Sequence, residues 1–126
     1  VEFNARAFLH WTAENLFVLP LATHRIDDAT SEPFVGAVAL ELNDNKLRER
    51  GRITHLKKPP QRNCETWLED TEDETEIERQ YCWVNFDWRA NIQRSLVIGE
   101  KIYSLSSLGI LTSEIGSLQP LSFLDF

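Results

Sequence analysis

The chain has 126 residues, 42% of them hydrophobic, a size that supports one domain with a single core and leaves no room for two comfortable ones. Thirteen basic against twenty acidic residues give a formal net charge of −7. With no basic stripe of the kind that tracks a phosphate backbone, nucleic acid is not an expected partner. No run approaches the roughly 18 uninterrupted apolar residues of a membrane-spanning helix. The chain starts at Val1 and has no methionine, so its start codon lies outside it, as expected of a piece of a longer product from which a signal peptide or preceding domains could have been removed.

Helical periodicity is scarce along the whole chain. "RAFLHW" (6–11) is a short mixed run followed by the turn-like "TAEN", and "LFVLPLATH" then reads as a strand whose Pro20 points to an edge or a bulge. "DDATSEP" (27–33) is a loop by composition. "FVGAVALEL" is a largely apolar strand, "NDNK" is a tight turn, and "LRERGRITHL" returns as an alternating strand. Four strands joined by short connections make an antiparallel meander, which we place at residues 5–57.

"KKPPQRN" stops the sheet, since consecutive prolines cannot donate to a ladder. Between Cys64 and Cys82 stand eight carboxylates against Arg79 alone, so this stretch carries the entire net charge of the chain and the remainder is balanced. We read residues 58–90 as an acidic insertion, a loop or short helix, because Trp67, Leu68 and Ile77 supply few apolar anchors. The spacing of the two cysteines fits neither a CxxC redox pair nor a complete zinc site. A disulfide at the feet of the loop would stabilise by roughly 3 kcal/mol and imply an oxidising compartment. Two reduced thiols are the alternative, and their position bracketing a polar loop favours the staple.

Residues 91–126 repeat the first pattern. "IQRSLVIG", "KIYSLSS", "GILTSEI" and "PLSFLDF" are strands separated by turns at Gly99-Glu100, Leu108-Gly109 and Gly116-Ser117. The fold class is therefore all-β, with two four-stranded antiparallel meanders around an inserted segment. Without a WD dipeptide or a strict internal repeat, β-propeller blades and a sandwich of two sheets both fit.

The run "RAFLHW…NLFVLPL…FVGAVALELN…LRERGRITH…IQRSLVIGEKIYSLSSLGILTSEIGSLQPLSFLDF" resembles the C-terminal part of the secreted β-propeller domain proteins of bacteria and archaea that are distantly related to WD40 repeats. The match lies in Phe8 to Trp11, Val18 to Leu21, Phe34 to Val38, Gly51 to His55 and, most specifically, Arg94 to Ile110. The resemblance implies a propeller fold, with the two meanders as blades, and a secreted, periplasmic or cell-surface location. It carries over no catalytic residues. Because a whole propeller needs four or more blades, it also implies that the chain is a segment of a larger propeller or that copies associate.

Among candidate chemistries, Asp70, Glu72, Asp73, Glu74 and Glu76 offer the carboxylate oxygens that Ca²⁺ selects, and calcium is the one cofactor they suggest. The loop lacks the glycine an EF-hand turn requires, so a solvated acidic loop is the simpler reading, and no resident metal or cofactor is expected. His10, His24 and His55 stand in or beside predicted strands, where a structural histidine is the ordinary case, and their spacing matches no zinc motif. No nucleophile-elbow signature accompanies them. Trp67, Trp83 and Trp88 are candidates for a protein- or sugar-binding surface. Packing of Trp83, Phe86 and Trp88 back onto the blade is the alternative, and Arg94 is a candidate ion-pair partner for Asp87 or for a carboxylate of the neighbouring blade. The leading functional reading is a non-enzymatic, exported propeller segment acting as an interaction scaffold for protein or polysaccharide. The alternatives are a propeller-hosted hydrolase or lyase with its site in the central channel, and a Ca²⁺-dependent adhesion module.

Overall fold

The structure, a computed structural model, describes residues 7–23 and 32–126. Most of the "DDATSEP" loop and all of His24 lie outside the described residues. Strands β1 (Leu9–Trp11), β2 (Leu16–Ala22), β3 (Val35–Asn43) and β4 (Lys46–Ile53) form one antiparallel sheet in the order β1-β2-β3-β4. A two-stranded hairpin of β5 (Gln61–Asp70) and β6 (Glu76–Asn85) follows. Strands β7 (Arg94–Ile98), β8 (Lys101–Leu105), β9 (Gly109–Glu114) and β10 (Pro120–Asp125) complete a second sheet, β10-β9-β8-β7. Both sheets are the meanders expected from the alternating pattern.

Local chemistry explains the connections. Asp44 and Asn45 sit at φ 51° and 61°, the left-handed pair a two-residue hairpin turn needs, and close Asn43 onto Lys46. Gly99, at φ 61°, does the same between Ile98 and Lys101. Pro20 lies in β2, yet β1 begins only at Leu9, opposite Val18, so among the described residues Pro20 pairs only with β3, at a local edge where a missing donor costs nothing.

Alternation places one face of each sheet inward. Leu16 and Val18 of β2, Ala37 and Ala39 of β3 and Ile53 of β4 join Ile92, Ile102, Leu111, Ile115 and Leu118 of the second unit in a single core between the sheets. Each fully buried member, such as Leu16 or Ile102, contributes about 1.5–3 kcal/mol of transfer free energy. A bulge in β4 adds specificity: Ala39 pairs with Gly51 but Leu40 with Glu49, so Arg50 has no opposite residue and turns toward the sheet interface.

The insertion is neither an open loop nor a helix. It is a hairpin in continuous register from Gln61 opposite Asn85 to Asp70 opposite Glu76. A helix would have scattered Trp67, Ile77, Tyr81 and Trp83, whereas the strand period of two puts all four on one face. Cys64 stands opposite Cys82, and their bond holds the register.

Candidate functional site

Cys64 and Cys82 form a disulfide across the hairpin, with Cα atoms 4.1 Å apart. Cys82 is buried and packs with Val84 and Phe86 in a small cluster at the hairpin's root. Beyond that root, among the described residues, the two strands pair only with each other, so the arm extends as a two-stranded ribbon.

Opposed residues of an antiparallel pair share a face, and the register divides the arm in two. One face carries Trp67, Ile77, Tyr81 and Trp83 with Glu65, Glu69 and Arg79. Tyr81 stacks on Trp83 with ring centroids 5.8 Å apart, and Arg79 Nε donates to Glu69 Oε2 at 2.8 Å. Trp67 is 46% exposed and Tyr81 41%, so the strip faces water. The other face carries the disulfide, Thr66, Leu68, Glu78 and the Asp70–Glu76 pair. Trp88 is 70% exposed but sits in the 3-10 turn Trp88–Ala90 that follows β6, outside the strip. The structure thus brings Trp67 and Trp83 together and leaves Trp88 apart.

Glu72, Asp73 and Glu74 occupy the tip. Glu74 N donates to Thr71 O at 3.0 Å, Thr71 N to Thr75 O at 3.1 Å, and Thr71 Oγ1 to Thr75 O at 2.8 Å. Glu74 sits at φ 58°. Among the described residues no three His, Cys, Asp or Glu side chains are grouped to hold a metal ion. The tip carboxylates are therefore spread in solvent around a turn.

At the arm's root lies a cleft of about 550 Å³. Lys57, Lys58 and Arg89 line it with Gln61, Asn85 and Phe86. Asp87 accepts from the Arg89 backbone N at 3.1 Å and from its guanidinium Nε at 2.9 Å and Nη2 at 2.8 Å. The Arg89 guanidinium holds the Asp87 carboxyl below its ordinary range. Asp87 thus caps the turn and pairs with Arg89, not with Arg94. Lys57 Nζ reaches Asp125 at 2.8 Å.

Two buried polar clusters join the blades. His55 lies 5.3 Å edge-on to Phe123, its Nε2 2.8 Å from Ser104 Oγ and its Nδ1 2.6 Å from Ser106 Oγ. Burial pushes its pKa down to about 4, so the ring is neutral near pH 7. Both serine hydroxyls lie within the core, out of reach of a substrate, which makes this a structural link and not a nucleophile with its base. His10, by contrast, is exposed and stacks on Phe17 at 4.3 Å.

The second cluster was not anticipated. Arg50, turned inward by the bulge, donates from Nε at 3.0 Å and Nη2 at 2.7 Å to Glu41 Oε2. Its Nη1 bonds Glu14 Oε2 at 2.8 Å and the Ile115 carbonyl at 3.1 Å. Arg48 pairs with the other oxygen of Glu41 at 2.6 Å. The Arg50 hydrogen bonds hold the Glu41 carboxyl below its ordinary range, and Arg48 reinforces them. The available signal was one carboxylate in the otherwise apolar "FVGAVALEL", facing the arginines of "LRERGR" across a turn.

No curated protein and no solved structure matches the chain. The family model for the beta propeller domain matches residues 1–118, spanning the first meander, the hairpin and strands β7 to β9 of the second. Two consecutive four-stranded antiparallel sheets packed face to face are what two adjacent blades look like. The chain belongs to the beta propeller domain family.

Proposed function

We propose that this chain is a non-enzymatic interaction scaffold in an exported propeller distantly related to the WD40 type, with the β5–β6 hairpin as its contact surface. The observation that carries the reading is the one-sided aromatic strip of Trp67, Tyr81 and Trp83 on an arm closed by a disulfide. Rigid aromatics give large contact area at small entropic cost, and the staple limits the ordering that a partner must otherwise supply. The disulfide supports a secreted, periplasmic or cell-surface location. Leu96, Ile98 and Leu124, exposed on the outer face of the second sheet, support further blades beside these two.

Neighbouring positions on the hairpin test the reading, because Glu65 and Thr66 point to opposite faces. A photo-cross-linking side chain at Glu65 of the native protein on intact cells is expected to form an adduct, of protein or polysaccharide, that the same group at Thr66 does not. Equal adducts from both positions, or none from Glu65, would refute it. Thiol alkylation of the same cells without reductant is expected to leave Cys64 and Cys82 unlabelled.

A further inference from the structure

The aromatic strip is continuous with the cleft. Gln61 and Asn85, opposed at the root, stand on the same side as Trp67, Tyr81 and Trp83 and also line the cleft. Charge is segregated along this surface. The tip holds Asp70, Glu72, Asp73, Glu74 and Glu76, whereas the cleft is lined by Lys57, Lys58 and Arg89, of which Arg89 pairs with Asp87 and Lys57 with Asp125, so the root keeps a net positive charge through Lys58. Nine residue steps separate root from tip, about 30 Å at the usual strand rise. That is well beyond the ~10 Å screening length at 0.1 M salt, so neither end neutralises the other. An aromatic strip that carries Glu65, Glu69 and Arg79 between its rings and opposite charges at its two ends is complementary to itself turned end for end.

We infer that a second copy of this chain covers the strip, in an isologous dimer whose twofold axis crosses the arms at the level of Thr66 and Gln80. The inference rests on the hairpin being the contact surface. In this arrangement each acidic tip overhangs the cationic root of the other copy, and the two aromatic strips meet face to face. Glu65 of one copy comes level with Arg79 of the other, so the central charges also alternate. Two strands of this length offer about 300 Å² per copy plus the cleft, below the roughly 800 Å² per partner of a standard interface. The dimer is accordingly weak and dependent on charge.

Sedimentation velocity of the 126-residue chain across the micromolar range tests this, with 14.6 kDa marking the monomer. At low salt the mass is expected to rise toward twice that value, and about 1 M NaCl, which cuts the screening length to about 3 Å, shifts it back toward monomer. A tip variant, Glu72→Lys with Asp73→Lys, and a root variant, Lys57→Glu with Lys58→Glu, should each weaken self-association at least tenfold. All four side chains are exposed and the one ion pair lost, Lys57 with Asp125, lies on the surface where such a pair is worth little, so both variants are expected to fold. Mixed in equal amounts, the two variants should dimerise again, because every tip then meets a root of opposite sign. A monomer at every concentration overturns the dimer while leaving the contact-surface reading to the Glu65 cross-link. A dimer indifferent to both charge swaps also overturns it, and if Ile98→Lys abolishes that dimer, the contact lies on the outer face of β7–β10.

Discussion

Reducing the Cys64–Cys82 bond is expected to loosen the hairpin and leave the blades intact. The bond closes a loop with a sequence separation of 18, for which chain entropy supplies roughly 3 kcal/mol. A two-stranded ribbon is marginally stable at best in water, and among the described residues β5 and β6 pair with no other strand. The effect therefore falls on a local opening equilibrium and not on the global one. At about 1.4 kcal/mol per tenfold, the open fraction of the hairpin rises on the order of 100-fold. Hydrogen exchange followed by mass spectrometry, with and without reductant, reads this directly. Amides of 61–85 should lose about two decades of protection, while those of β2, β3, β8 and β9 keep theirs. The reasoning is refuted if reduction releases the blade amides together with the hairpin, or if the hairpin amides do not change.

Three further outcomes follow from the geometry. Ile102→Ala empties a fully buried site between the sheets and should cost about 2–5 kcal/mol in urea unfolding, whereas Leu47→Ala on the exposed side of β4 should change little. His55 has a folded pKa of about 4 against an ordinary 6.5, so between those values the unfolded chain binds more protons than the folded one. Its stabilising contribution is complete above pH 6.5 and is lost as the pH falls toward 4; His55→Gln, which keeps a donor and an acceptor near Ser104 and Ser106, should flatten that part of the stability curve. Gly36→Ala would drive a Cβ into the Ile53 carbonyl and should lower the melting temperature by several degrees in calorimetry, with the hairpin unaffected.

Much of the architecture was legible in local pattern. Turn pairs such as Asp44-Asn45 and Gly99-Glu100 mark hairpins because few residues tolerate a positive φ, and the alternation around them assigns which side chains turn inward. Pro20 announced an edge for the same kind of reason, its missing donor. The cysteines announced a staple. The segment between them was misread because its carboxylates look like a solvated loop or helix, and its strand character lies in a period-two pattern visible only once Cys64 is set opposite Cys82.

What the sequence by itself determined is therefore everything carried by near neighbours: strands, turns, an all-β class, and the concentration of charge between Cys64 and Cys82. Only the tertiary structure decided which distant groups meet. The bulge that aims Arg50 at Glu41, Glu14 and the Ile115 carbonyl depends on a register slip of one residue, and a slip has no signature in a single strand. The seating of His55 between Ser104 and Ser106 depends on one sheet packing on the other. The aromatic strip depends on the pairing of β5 with β6, since Trp67 and Trp83 are 16 positions apart in the chain and become companions on one face through their register alone.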